Sequence, residues 1–486
     1  MPAILYRSAF DLAQDIKTGT LSSAEVLDFF LARVEAHNPT LNAVVAMDVE
    51  RARQRAAEAD AAAASGEDWG PLHGVPMTIK DALCTAGLVT VGGIPGCKNN
   101  VPTSNALAVQ QYLDAGAIVF GKTNVPFMSQ DLQSYNDVYG TTNNPWDVSR
   151  TCGGSSGGAA AAVAAGLTPL ELGSDIGGSI RTPSHFNGVF GHKPSYGIVP
   201  QRGHLPPGEH TLSDSDLSVV GPLGTNPADL EKALDLLTIP NPEQRKAYTL
   251  SLPDARTRDV AQLRVAVWSD DAFCRVDTEI RDAIEAAGDS LEQAGALVDR
   301  AARPDFDPED NRVNYALALS AAISGGMPEE VIDMMRAYAE QLPVEDTSHR
   351  GLQARGIAMS HWKWTHVMEK REHIRATWAR FFEDYDVLLC PSVFCTAFPH
   401  DHEPDMHERR LSVNGEQRPY LEVIDWAGLT LNALLPVTNV PIATSSEGLP
   451  IGMQVVAGFL EDKTALAAAA MLEKCHRRFT PPPGYE

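Results

Sequence analysis

Two serines, Ser155 in GGSSGG (residues 153–158) and Ser179 in GSDIGGSIRTP (residues 173–183), are each set among glycines. A serine there is sterically open, and backbone N–H groups around it can converge on a small anion. Acyl transfer asks for that arrangement: an exposed hydroxyl nucleophile beside donors aimed at a developing oxyanion. One Gly/Ser loop is what turn chemistry produces by itself. Two of them, joined by an alanine-rich segment, are a more specific pattern, because two hydroxyls brought together can pass a proton along. A base must then stand at the end of that chain. Lys80 is the candidate, since it closes the alternation Val75, Met77, Ile79 in PLHGVPMTIKD and emerges from a strand into a half-buried setting. Desolvation disfavours the ammonium and lowers a lysine pKa. A neutral amine near pH 7 is a competent general base and needs no histidine.

The segment between the serines must position them. Residues 159–165 read AAAAVAA, a strong helix former with almost no side-chain bulk, and Gly166 stands where a helix C-terminal glycine belongs. LTPLELG, residues 167–173, suits a short buried strand with Pro169 near its start. The chain then turns sharply through residues 173–179. Loop, helix, strand and return loop are expected to bring Ser155 and Ser179 to the same end of a sheet.

The ordered motifs GVPxxIKD at residues 74–81, GGSSGG at 153–158 and GSDxGGSIRxP at 173–183 resemble the amidase signature family of serine hydrolases. The resemblance continues through GHKP (191–194) to GLPIGMQ (448–454), so it covers nearly the whole chain. It implies Ser179 as nucleophile, Ser155 as relay serine after a cis Gly154–Ser155 peptide bond, and Lys80 as base. It also implies an oxyanion hole from the N–H groups of Ile176, Gly177, Gly178 and Ser179. Ser156, Asp175 and Arg181 become supporting groups that hold the loops and the lysine. Phe127, Met128 and Ser129, after GKTNVP, become substrate-pocket residues. Many relatives carry an acidic residue at position 127, so phenylalanine points to an apolar acyl side. The implied fold is α/β: a large mixed central β-sheet covered by helices on both faces, forming one domain over residues 1–486. Within it lie a helical N-terminal part (1–66), the signature core (71–235) and a helical substrate-side insert at about 300–385.

Composition bounds the rest. A chain of 486 residues with 44% hydrophobic content buries a large core. A formal charge of −24 argues against nucleic acid or an anionic membrane as the main partner, since both need a cationic footprint. No stretch is apolar enough to span a bilayer, and MPAILYRSAFDLAQDIKTG lacks the features of a cleaved leader. Seven cysteines, an odd and scattered set without a C-x-x-C pair, read as reduced buried thiols in a cytoplasmic protein. The expected partner is a small-molecule amide; no cofactor and no metal are expected, and a homodimer is compatible with the sequence.

Other elements follow from local pattern. Ser22 or Ser23 caps a helix, and residues 49–64 are rich in Ala, Arg and Glu. Strands are expected at 263–268, 387–393 and 452–458, helices at 278–296 and 463–478, and a linker-like excursion at 240–259. The insert is expected to roof the substrate pocket, with Trp362, Trp364 and Trp378 packed inward as core.

Three rival readings are weaker. GSSGG also fits the G-x-S-x-G nucleophile elbow, with Ser156 attacking, but NNPWDVSRT before it is polar rather than a buried strand. Histidines 185, 192, 204 and 210 come too early for a Ser…Asp…His order. SHWK at 360–363 fits S-x-x-K, yet the KTG at 17–19 precedes it, the reverse of the penicillin-binding order. The amidase component of tRNA-dependent amidotransferases shares the motifs, but LSDSDLSVVGPLG at 212–224 departs from the run those proteins usually carry.

Overall fold

The structure, a computed structural model, describes residues 4–206, 208–403 and 405–486. The first three residues of the N-terminal helical part therefore lie outside the described residues. An eight-stranded mixed sheet organises the molecule, in the spatial order Leu297–Asp299, Arg264–Val267, Val387–Pro391, Pro450–Val456, Val437–Thr444, Phe190–Lys193, Val219–Gly224, Leu170–Asp175. The first three strands run parallel and every later pairing is antiparallel. Helices cover both faces; Arg181–Asn187 packs on the Val437–Thr444 and Pro450–Val456 strands, as does Asp462–Cys475. Strands from both sides of the 240–259 excursion join this sheet, and the excursion itself is largely exposed.

Lys80 is not on that sheet. It ends the fully buried strand Pro76–Lys80, which pairs in parallel with Ile118–Thr123 in a separate three-stranded sheet completed by Val44–Met47. Thr78 N–H donates to Thr168 Oγ1 at 3.1 Å, which ties the small sheet to the segment leading into Leu170–Asp175.

Local chemistry explains the elements around these sheets. Ser22 and Glu25 form a reciprocal capping box on the helix Ser23–Leu41, and Asp48 caps Val49–Ser65. The alanine-rich helix runs Gly157–Ala164, so its two glycines form its first turn rather than precede it, and all of it is buried. Gly166 follows at φ 63°, a conformation glycine adopts without cost. The thinness is needed: a Cβ on Gly158 would lie 2.3 Å from Asn124 N and 2.9 Å from Ala43 O. Those are backbone atoms held in strands and turns, so they cannot yield as a side chain would. Gly158→Ala is expected to lower stability by about 1–3 kcal/mol through overpacking, measured as a drop in the urea midpoint at unchanged slope. An unaltered midpoint would show that the helix has room to shift.

Two expectations are corrected. Only Trp378 of the three insert tryptophans is core; Trp362 is 67% exposed and Trp364 36%, because the start of the helix His361–Asp384 projects beyond the packed body. Cys84, Cys152, Cys274, Cys390 and Cys395 are buried free thiols, whereas Cys97 is half-buried and Cys475, near the end of the last helix, is exposed. Among the described residues no helix is long and apolar enough to cross a membrane.

Candidate active site

Lys80 is fully buried, and its Nζ lies within hydrogen-bond distance of three oxygens: Ser155 Oγ at 2.7 Å, Ser174 Oγ at 2.9 Å and Ser174 O at 3.5 Å. Burial pushes its pKa from the ordinary 10.5 down to about 7, against the pull of the carboxylates of Asp175 and Glu171. The side chain is thus more enclosed than its place at a strand end suggests, because the edge strand Leu170–Asp175 closes over it.

Ser155 follows the cis Gly154–Ser155 peptide bond. Its neighbour Ser156 links the two glycine loops. Ser156 N–H donates to Ser179 O at 3.1 Å, and its hydroxyl donates to Ser174 O at 3.2 Å and accepts from Ser174 N–H at 3.4 Å. Ser155 and Ser179, 2% and 5% exposed, line one cavity of about 560 Å³. Lys80, Ser155 and Ser179 therefore meet from three separate parts of the chain. The lysine-to-Ser155 link is a hydrogen bond; the Ser155-to-Ser179 link is juxtaposition on a shared wall.

Asp175 and Arg181 shape the Ser179 loop from beneath. Burial alone would raise the Asp175 carboxyl, but Arg181 and the backbone donors hold it down at about 2. Arg181 Nε and Nη2 reach the two carboxylate oxygens at 3.0 and 2.9 Å, and Nη1 donates to Ala427 O, Thr430 Oγ1 and Gln454 Oε1. The same carboxylate accepts Gly178 N–H at 2.8 Å and Ile180 N–H at 3.0 Å. This corrects one expectation: the Gly178 amide already serves the Asp175 side chain, and Gly178 lines neither cavity beside Ser179. Ile176, Gly177 and Ser179 line a second, smaller cavity of about 130 Å³. Tyr315, from the insert helix Pro308–Ile323, fixes that turn by donating to Ile176 O at 3.1 Å.

The pocket residues divide. Met128 and Ser129, with φ of 53° and 57°, line the large cavity, and Ser129 also borders the small one. Phe127 lines neither and is 52% exposed. The two left-handed residues after it turn the chain, so residues 128 and 129 face inward while the phenylalanine faces out. From the insert, Ala322 and Ile323 wall the large cavity, and Ala316, Leu319 and Gln353 the small one.

Sequence reasoning missed Ser174, Tyr315 and His204. Ser174 sat inside a quoted motif and could have been noticed as a third hydroxyl; Tyr315 and His204 are brought in by long-range packing and left no local signal.

The Amidase family profile matches residues 25–466. The chain belongs to the Amidase family. Its relatives act on amides by name. An indoleacetamide hydrolase from Bradyrhizobium diazoefficiens is 34% identical over 96% of this chain and 86% of that protein. A glutamyl-tRNA(Gln) amidotransferase component from Prochlorococcus marinus is 31% identical over 95% of this chain and 96% of its own length. Among solved structures, that of 6-aminohexanoate cyclic dimer hydrolase complexed with substrate superposes with a TM-score of 0.78 at 26% identity, covering 99% of both chains. This amidase is thus an enzyme of that family, and its fold superposes on the solved hydrolase over nearly its whole length.

Proposed function

We propose that this amidase hydrolyses small carboxylic amides on its own, through an acyl-enzyme on Ser179, with Ser155 as relay and Lys80 as base, in one catalytic domain. The observation that carries the reading is the 2.7 Å contact between the buried Lys80 Nζ and Ser155 Oγ, opening onto the cavity that Ser179 lines. In the neutral amine the Lys80 lone pair takes the Ser155 proton. Ser155 takes that of Ser179, and Ser179 Oγ attacks the carbonyl carbon. The tetrahedral oxyanion is held by the amides of Ile176, Gly177 and Ser179. The proton returns through Ser155 to the nitrogen, which leaves as amine, and water repeats the sequence on the ester to release the acid.

The two cavities correspond to the substrate's halves. Ser155 lines only the larger, so the leaving nitrogen, which receives its proton from Ser155, points there. Gly177, Leu132, Leu319 and Ile424 line only the smaller, which takes the acyl group. A compact apolar acyl group is therefore preferred, while polar amines of varied size fit the larger chamber. Leu319→Ala is expected to raise kcat/KM for a longer acyl chain relative to a short one by roughly tenfold, the scale of one or two methylenes in an apolar pocket. An unchanged ratio across a series of acyl anilides would place the acyl group elsewhere.

The pH dependence has a definite sign. Only neutral Lys80 accepts a proton, and its pKa lies near 7. kcat/KM should be level above about pH 8 and fall about tenfold per unit below pH 6. A profile flat from about pH 9 to pH 5 would contradict a titrating lysine base.

The amidotransferase relatives favour one alternative, a component that works inside a tRNA-dependent complex. The purified chain decides between them: turnover of simple anilides without partners supports the stand-alone hydrolase, and activity only after addition of partner proteins supports the complex.

A further inference from the structure

His204 contacts neither Lys80 nor Ser155 by hydrogen bond, yet it sets the direction of a proton that matters to both. Its Nδ1 lies 2.8 Å from Pro206 O, and its Nε2 lies 2.8 Å from Ser174 Oγ. A carbonyl only accepts, so Nδ1 carries the hydrogen and Nε2 of the neutral ring is an acceptor. The Ser174 hydroxyl must then donate to His204, which turns its lone pairs toward Lys80. Desolvation and the charge of Lys80 push the His204 pKa down to about 4, so the ring stays neutral over the working range.

Lys80 Nζ has three directions besides its bond to Cε, and three oxygens meet it: Ser174 Oγ, Ser174 O and Ser155 Oγ. A neutral amine has two N–H groups and one lone pair. Ser174 O can only accept. With its own proton committed to His204, Ser174 Oγ can also only accept from Lys80. Both N–H groups are thereby assigned, and the lone pair is left facing Ser155.

We propose that His204 is a positioning residue that acts through Ser174: it keeps the Ser174 hydroxyl from donating to Lys80, so that the lysine lone pair is reserved for the Ser155 proton. The loop that carries it is fastened to the segment just beyond Lys80. Gly203 O accepts Cys84 N–H at 2.9 Å, and Leu205 N–H donates to Ala82 O at 2.7 Å. Imidazole, hydroxyl and amine are thus held in register by backbone pairing on both sides. Without His204, Ser174 is free to rotate and donate to the lysine lone pair, competing with Ser155 for the same site. After the lysine takes a proton, the same three oxygens accept its three N–H groups, so the arrangement serves both halves of the transfer. The proposal rests on Lys80 acting as the base.

The test is a double-mutant cycle on the full chain, with hydrolysis of a small anilide read as separate kcat and KM, and thermal midpoints recorded for each variant. His204→Leu is expected to lower kcat about ten- to a hundredfold, below the full value of a general base, with KM little changed. His204→Gln, whose amide oxygen can accept from Ser174, should regain most of that loss. In a Ser174→Ala background, His204→Leu should cost no more than about twofold, the scatter of independent changes. His204→Met serves the same comparisons if the leucine variant does not fold. Equal losses in both backgrounds, or no rescue by glutamine at a native-like midpoint, overturn the proposal. If His204→Leu keeps its kcat while Lys80→Met is inactive, the positioning role falls and the lysine base stands. If Lys80→Met also keeps its kcat, the catalytic reading falls and takes this proposal with it.

Discussion

Ser179→Ala is expected to abolish covalent labelling by a serine-reactive fluorophosphonate and to lower amide hydrolysis by a factor on the order of 10⁶, the scale seen when a nucleophile acting within a coupled set is removed. Neither Ser156 nor Cys152 is placed to substitute. Ser156 lines neither cavity, and its hydroxyl is engaged with Ser174 O. Cys152 is buried, and burial pushes its thiol up to about 12, so almost no thiolate exists at neutral pH. Ser155 is close enough to be reached, which makes peptide mapping of the tag decisive. In the native chain the tag should sit on residue 179, and in the variant no serine should carry it. A tag on Ser155 or Ser156 in the native chain would reassign the nucleophile and with it the direction of proton flow.

Lys80→Ala, or Lys80→Met to keep the side-chain volume, should lower amide turnover by about 10²–10⁴, the range of general acid–base catalysis. Ester turnover should fall less. An amide nitrogen must be protonated before it leaves, and in the proposed relay that proton comes from Lys80. A phenoxide or alkoxide needs that proton less. The variant should also lose the acid limb near pH 7, because no other group in the relay titrates there. Equal losses for amide and ester, measured on substrates with the same acyl group, would argue that the lysine only activates Ser179 and never returns its proton. The measurement is kcat/KM for a matched anilide and phenyl ester between pH 5 and pH 9, with the thermal midpoint of each variant as a check on folding.

Much of this is legible in the order of residues. The glycines around Ser155 and Ser179 and the alternation ending at Lys80 are local signals. Open backbone, thin helix and buried strand follow from residue type alone, and the helix at Gly157–Ala164 and the strand at Leu170–Asp175 fall where those signals put them. The N-terminal caps are equally readable, since a capping box is written in four consecutive residues. Phe127 shows the limit of such reasoning. Its place beside Met128 suggests a pocket residue, but the direction of a side chain depends on the φ of its neighbours, and two left-handed residues in a row are not encoded by FMS.

Residue types and their spacing nominated the candidate groups: two hydroxyls set among glycines, one amine at a strand end, and a slim helix that lets them approach. How those groups are wired came from long-range packing. It placed Lys80 on a small sheet apart from the main one, brought Ser174 against it and His204 against Ser174, took the Gly178 amide for Asp175, and split the pocket into a larger chamber and a smaller apolar one beside the insert. The reason is distance along the chain. Backbone conformation and burial are imposed by neighbouring residues, whereas the orientation of a hydroxyl proton or the wall of a cavity is set by atoms that only folding makes neighbours.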